Sequence, residues 1–418
     1  MTSETRSNSL PIGLPLIILL ALLTALDAMA IDMYLPGMAS IADDLAVSPG
    51  RVQQTLSIFL AGLAIGQGVY GPLLDRYGRR VPLLIGIAIF VVGSSVAACA
   101  PTVEWLLAAR FLQAVGAAAG LVAPRAIIAD TCDVNSSARV FSLLMQVMMI
   151  APVVAPMLGG MLLVQGGWRL IFWTLALLAA IGLVWGLKAL PDSLPVERRV
   201  AISFGTVIRS YTKQMRKGGF MLYTLAGGCV MASLFSYISS AAFVFTDHFA
   251  LSPTVFSYLF AANSIALILG GTLSTVLLAR GTPPIRVTLG GLVLHTLAGG
   301  VLYLLALEGI ATLWVYSMLL AFAIGSLGLI LGNIVALTMS IGGSQAGVAS
   351  ALMGTLHYLV AATVGYLASL FPQGPESMPL LIALCGIAAI LLAFYARRVA
   401  ACEATCESDL ACKVSLHH

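Results

Sequence analysis

Twelve times along this chain, a run of mostly apolar residues reaches the roughly 20 needed for a helix to cross a lipid bilayer. The first six runs cover about 14–36, 52–74, 82–100, 103–128, 139–164 and 168–190. The second six cover about 219–246, 253–279, 285–307, 311–337, 345–371 and 377–399. Hydrocarbon offers no water to the backbone, so spanning segments of this length must satisfy their own N–H and C=O groups as helices. Of the 418 residues, 60% are hydrophobic and only 9% charged, whereas a soluble domain carries about a quarter charged residues. A soluble enzyme is thereby excluded. The net charge of +4 is small, which argues for membrane orientation and against a nucleic-acid partner. The expected fold is all-α: a polytopic membrane protein of twelve transmembrane helices.

The joining loops are short except for 191–218, from "PDSLPVERR" to "YTKQMRKGG". The chain therefore divides into an N-terminal six-helix bundle (1–190), a basic cytoplasmic linker (191–218), a C-terminal six-helix bundle (219–400) and a cytoplasmic tail (401–418). With the N-terminus inside, the cytoplasmic segments carry Arg6, Arg76, Arg79, Arg80, Arg139, Arg280, Arg286, Arg397, Arg398 and Lys413. The linker adds Arg198, Arg199, Arg209, Lys213, Arg216 and Lys217, while the outside loops hold only Arg51 and Arg169. This asymmetry obeys the positive-inside rule and puts both termini in the cytoplasm. Ala28-Met29-Ala30 has the look of a signal-peptide cleavage site, but Asp27 precedes it and Arg6 is the one basic residue upstream, so cleavage is not expected. The seven cysteines form no disulfide framework, and the tail cluster of Cys402, Cys406, Cys412, His417 and His418 reads as a reduced tail rather than a metal site. No nucleotide-binding loop is present, so ATP drive is not expected. Two six-helix halves joined by a basic linker suggest a secondary transporter with its site at the midplane between them.

Charged groups inside the apolar runs then carry the chemistry. An ionised side chain at the bilayer centre costs from about 3 to above 10 kcal/mol, and those retained are by default functional. The first run, "LLTALDAMAIDMYLPG", holds Asp27 and Asp32; the fourth, "RFLQAVGAAAG", holds Arg110 with Gln113 on its face. At about 1.5 Å per residue, Asp32 and Arg110 fall at similar depth in the outer half, so an ion pair or proton-dependent pair is allowed. Asp27 and Asp32 lie roughly 140° apart around a helix and cannot point at one spot. Asp27 shares a face with Thr24 and Tyr34 and could meet a cationic substrate or a second proton. In the second half the polar candidates include Ser233, Ser236, Tyr237, Asn263, His295, Asn333 and His357. His357 could titrate or bind substrate. His295 reads as an interhelical hydrogen bond. Tyr34, Gln113, Met145, Tyr237 and His357 are the candidate cavity residues, with Met145, Met148 and Met149 offering adaptable contacts.

Between the second and third runs stands "GPLLDRYGRRVP", with Gly71, Asp75, Arg76, Gly78, Arg79 and Arg80. The glycines permit close approach and a tight turn, and Asp75 with the arginines can form an ion-pair latch, partnered by Asp130 and Arg139 at the next cytoplasmic turn. This loop closely resembles the signature loop of the major facilitator superfamily, which holds the cytoplasmic side closed. "RFLQAVGAAAG" resembles that family's fourth-span motif, whose arginine takes part in proton coupling, with Ala114 where glycine is usual. "APVVAPMLGG" resembles its antiporter motif, with Pro152, Pro156, Gly159 and Gly160 in place and Ala155 replacing a glycine. "GWRLIFW" and "LPDSLP" agree as well. "IDMYLPG" points more narrowly to the bicyclomycin/chloramphenicol-resistance (Bcr/CflA) drug exporters, and the resemblance covers the whole chain.

The resemblance implies a monomeric, proton-coupled drug antiporter of the bacterial inner membrane. It implies no cofactor, the drive being the proton gradient, and as partners only small-molecule drugs, protons and the bilayer. It selects Asp32 as the coupling carboxylate, opposed by Arg110, with Asp27 in support. Each proton carried down 100 mV supplies about 2.3 kcal/mol, or roughly a 40-fold gradient. Export of a metabolite such as an amino acid, with drugs incidental, is the alternative. A sensor or channel fits the latch and antiporter motif less well.

Overall fold

The computed structural model describes residues 13–415 apart from 133, 195–196, 198, 200–203, 343–345 and 372–373. The side chains of 134–135, 137–139, 142, 204, 206–208, 346 and 400–415 are likewise not described. Arg6, Arg198, the side chains of Arg139 and Lys413, and the tail cluster of Cys402, Cys406, Cys412, His417 and His418 therefore lie outside the described residues.

The helices are α1 (Leu14–Asp32), a short α2 (Met38–Asp44), α3 (Pro49–Tyr77), α4 (Arg80–Ala98), α5 (Val103–Thr131) and α6 (Val134–Ala189). They continue as α7 (Phe204–Met215), α8 (Gly218–Phe243), α9 (Pro253–Ala279), α10 (Pro284–Leu307), α11 (Leu313–Gly342), α12 (Ala346–Ser369) and α13 (Ser377–Ser415). Eleven helical segments among the described residues are long and apolar enough to cross a membrane. One of them, inside α6, breaks at Gly166 and Gly167, where the backbone leaves helical geometry. Twelve crossings result, where the apolar runs mark them.

The first crossing departs from a single helix over 14–36. Pro36 disfavours helical geometry at the residue before it and has no N–H to donate. The chain accordingly leaves α1 at Asp32, turns through Met33 and Tyr34, and makes one 3₁₀ turn at Leu35–Gly37 before α2 begins.

An internal repeat unnoticed in the apolar pattern marks the start of α3 and of α9. "DDLAVSP" (43–49) and "DHFALSP" (247–253) align at Asp43/Asp247, Ala46/Ala250, Ser48/Ser252 and Pro49/Pro253. Ala46 and Ala250 are the two non-glycine residues with positive φ among those described, and both stand at 51°. Left-handed geometry at alanine is uncommon, so its recurrence at matched positions identifies equivalent corners of two related halves. The second copy carries one more residue in its closing bond: Val47 N–H reaches Ala42, whereas Leu251 N–H reaches Phe245. A π turn at Val244–His248 absorbs the difference.

Within the first half α5 packs on α3 and α4, and α6 on α1 and α4. In the second, α8 packs on α12 and α13, and α11 on α9 and α10. The halves meet along α3 against α12 and α6 against α9. Lys217, at the end of the linker, donates from Nζ to the Gly342 carbonyl at 2.9 Å, a cation placed on the negative end of α11.

Candidate functional site

Arg110 is fully buried, at 0% exposure. Its helix, α5, sits so close to α3 that a Cβ built on Gly62 would lie 2.7 Å from that of Ala114. Alanine fits where the resembled motif carries glycine because the facing helix supplies the room. The guanidinium carbon lies 4.1 Å from the ring centre of Phe59, 4.8 Å from Tyr34 and 5.8 Å from Phe172. Nη1 donates to the Ala30 carbonyl (2.9 Å) and to Gln113 Oε1 (2.6 Å), and Gln113 Nε2 donates on to Ser94 Oγ at 2.8 Å. Ring faces and a carbonyl dipole offset part of the cost of stripping water from a cation. Nε and Nη2 have no hydrogen-bond partner among the described residues.

Two expected cavity residues belong to this buried cluster instead. Gln113 is held between Arg110 and Ser94 at 0% exposure. Tyr34, also at 0%, bonds through its hydroxyl to Thr55 Oγ1 at 2.6 Å. Because α1 stops at Asp32, Tyr34 leaves the helical face it was expected to share with Asp27.

The ion pair allowed by matched depths is not formed. Among the described residues no carboxylate lies within 4 Å of Arg110, which takes the carbonyl of Ala30, two residues before Asp32. Asp27 and Asp32 are each 4% exposed and lie within electrostatic reach of each other. Asp32 lies within electrostatic reach of Tyr237 on α8. Asp27 lies within reach of Tyr358 on α12 and of Arg125 on α5, and its Oδ1 has no hydrogen-bond partner among the described residues.

Among the remaining candidates, Tyr237 stacks on Phe260 with ring centres 5.3 Å apart and accepts from Asn263 Nδ2 at 3.1 Å. His357 is buried against Gly227, and its Nε2 has no partner among the described residues. Met145 is exposed on α6. His295 is an interhelical tie: Nδ1 stands 2.8 Å from the Ala323 carbonyl and so carries the proton, leaving Nε2 to accept from Ser233 Oγ at 2.8 Å.

The seam between the halves is closed at one end. Along α3 and α12, Gly50 abuts the Ser369 carbonyl, Ser57 lies 2.9 Å from a Cβ built on Gly365, and Gln67 lies 2.5 Å from one on Gly354. The contact then ends, for a Cβ on Gly71 would meet nothing within 4 Å. Close helix approach at Gly71 was expected and is not found in this conformation, because the contact of α3 with α12 seen at Gly68 does not reach it.

On the other flank, the antiporter motif meets α9. Pro156 has no N–H, so the carbonyl four residues back, on Pro152, loses its helical donor. Ser264 Oγ stands 3.3 Å from that carbonyl, sharing its hydrogen with Phe260 O at 3.0 Å. Ser257 Oγ likewise reaches Pro156 O at 3.0 Å. Gly159 packs onto the backbone of Met33 with no space for a side chain, and Gly160 faces Ser257.

At the open end, Arg79 organises the signature loop. Its Nε meets Asp130 at 2.8 Å, its Nη1 meets Asp75 at 2.6 Å, and its backbone N–H reaches Asp192 at 3.1 Å. Asp192 also accepts from Arg199 at 2.6 Å, and Arg80 donates to the Leu187 carbonyl at 2.6 Å. Gly78 turns the chain here with φ of +86°. Arg76 is exposed over the ring of Tyr77. All these groups belong to the first six crossings and the segment after them.

Sequence reasoning missed Arg125, Asp192, Ser257 and Ser264. Arg125 had a visible signal, being a basic residue within the fourth apolar run. The serines had none, since a hydroxyl in a membrane helix usually bonds its own preceding turn.

A family model described as Major Facilitator Superfamily matches residues 20–366. The "Uncharacterized MFS-type transporter YdgK" of Bacillus subtilis (strain 168) is 36% identical over 362 residues, covering 84% of this chain and 87% of that relative. The "Bicyclomycin resistance protein homolog" of Haemophilus influenzae is 27% identical over 382 residues, covering 91% and 95%. Among solved structures, a D-xylose-proton symporter shares the fold with a TM-score of 0.72 at 15% identity, covering 91% of this chain and 96% of that one.

Proposed function

The chain belongs to the Major Facilitator Superfamily, and from that premise we propose that it is a proton-coupled antiporter exporting lipophilic drugs across the bacterial inner membrane by alternating access. The cargo class is chloramphenicol- or bicyclomycin-like compounds, neutral or cationic, and the name of the bicyclomycin-resistance relative supports it. The proton gradient is the drive, no cofactor takes part, and the chain works as a monomer with both termini in the cytoplasm. With that sidedness, the seam is shut outside and open inside, the state that receives drug from the cytoplasm.

The observation that carries the coupling is the placing of Asp32: buried at 4% exposure, within electrostatic reach of Tyr237 in the second half, with no counter-ion within 4 Å among the described residues. A charged carboxylate so placed is costly to bury, and a proton removes the cost. Arg110 holds the carbonyl of Ala30 on the same helix. A small turn or slide of α1 exchanges that carbonyl for the Asp32 carboxylate, and the exchange is favourable only once the proton has left. Proton release thus favours one facing state and protonation the other, as a population shift requires.

Drug export from proteoliposomes under an imposed pH gradient tests this. Asp32→Asn is expected to abolish gradient-driven chloramphenicol export while energy-independent exchange survives. Undiminished gradient-driven export by that variant would overturn the coupling.

A further inference from the structure

Deeper than Asp32 lies a second pair of opposite charges that attract without touching. Asp27 is 4% exposed, and its Oδ1 has no hydrogen-bond partner among the described residues. Arg125 is exposed on α5, within the fourth crossing, and no ion pair or hydrogen bond engages it among the described residues. The two are nonetheless within electrostatic reach of each other, and Tyr358 of α12 is within reach of both. One turn before Tyr358, Thr355 Oγ1 is also buried without a partner, 3.6 Å from a Cβ built on Gly68 of α3. Gly68 and Thr355 are where the closed part of the seam gives way to the open part.

This junction therefore gathers, from both halves, a carboxylate with one open oxygen, a guanidinium without an ion pair and an unpartnered hydroxyl among the described residues. Membrane proteins retain such groups where they meet cargo or ions. A gap wider than an ion pair but narrow enough for attraction suits a guest carrying both signs of charge. We propose that Asp27, Arg125, Thr355 and Tyr358 form a binding site for the zwitterionic end of a small amphiphile. The ammonium goes to Asp27 and the carboxylate to Arg125, where the planar fork can engage both oxygens. Thr355 supplies a further polar contact, and the Tyr358 ring, 6.1 Å from that of Phe235, walls the apolar body. This deepens the export proposal, on which it rests for the guest being cargo. A neutral drug with a donor at one edge and an acceptor at the other is a weaker form of the same pattern.

Three probes that share one apolar body separate the charges: L-phenylalanine, 2-phenylethylamine and 3-phenylpropanoate. Their binding to the purified full chain in detergent is measured by calorimetry. The wild type is expected to prefer phenylalanine by about tenfold over either analogue, the worth of one charge-assisted hydrogen bond. Arg125→Gln should bring phenylalanine down to the phenylethylamine level, and Asp27→Asn should bring it down to the phenylpropanoate level. Equal or undetectable binding of all three probes by folded wild type, or an equal loss of all three in Arg125→Gln, would overturn the site. Thermal unfolding of each variant separates lost binding from lost folding. Gradient-driven chloramphenicol export by the wild type is read independently. Export without a zwitterion preference sinks this site alone, and a preference without export sinks the drug-export proposal alone.

Discussion

Arg110 is bonded to the carbonyl of Ala30 at 2.9 Å, not to the carboxylate two residues further along the same helix. A buried cation thus grips the helix that carries the proposed proton site, by a group that never titrates. In the proposed cycle, what changes is which oxygen of that helix the guanidinium holds.

Arg110→Lys keeps the charge and loses the fork. A lysine ammonium has no flat face to lie among Phe59, Tyr34 and Phe172, so the ring contacts are lost even if the single nitrogen keeps the bonds to Ala30 and Gln113 that Nη1 makes. Gradient-driven export is expected to fall at least tenfold. Wild-type rates in the lysine variant would reduce Arg110 to a point charge.

The Tyr34 ring and hydroxyl do separate things. Thr55 Oγ1 donates to the Val52 carbonyl at 2.6 Å, so Tyr34 is the donor in the bond to Thr55. Tyr34→Phe should cost about 1 kcal/mol of stability and leave export near the wild-type rate, since the ring over Arg110 remains. Tyr34→Ala should lose export as well. The check is thermal unfolding alongside transport for both variants.

Ser264→Ala leaves the Pro152 carbonyl without a donor at the interface of α6 and α9. An unsatisfied buried acceptor costs about 1–3 kcal/mol, and that cost falls on the conformation seen here. The population should move toward the opposite-facing state by roughly 5- to 150-fold. Spin labels across the outer ends of α6 and α9 read the distance distribution, and an unchanged distribution would remove the serine from the gate.

Gly78 and Gly71 belong to one loop and make opposite demands. At Gly78 a Cβ would have to accept φ of +86° and sit 2.5 Å from an Asp192 carboxylate oxygen. Gly78→Ala should therefore lower stability by about 1–3 kcal/mol. Gly71→Ala meets nothing within 4 Å and should be neutral, or stabilising by up to about 1 kcal/mol from helix propensity. Thermal unfolding of the two variants side by side distinguishes them.

Hydropathy is a local quantity, and whatever depends on it was readable in one dimension: twelve crossings, the long break at 191–218, and the oddity of Asp27, Asp32 and Arg110. The signature loop was readable because its ion pairs join residues close in sequence, Asp75 to Arg79, or at neighbouring turns, Arg79 to Asp130. The partners that tune the site were not. Ser264 completes Pro152 across 112 residues, and no periodicity announces that pairing. The end of α1 at Asp32 was written in Pro36, but its consequence, a Tyr34 swung into the arginine cluster, needed the third dimension. Arg125 stood in plain view, and what gave it meaning was a carboxylate on another helix.

The break in α6 at Gly166 and Gly167 joins two crossings with almost no loop between them. Such a link is a bend rather than a spacer, and it gives no slack along the chain. The rod before it carries Pro152, Pro156 and Gly159 against α9 and Met33. The rod after it begins with Trp168 and Phe172, and Phe172 lies over Arg110. A slide of the first rod would therefore reach a wall of the arginine's cage, so the interface with α9 and the proposed proton site share one piece of mechanical linkage.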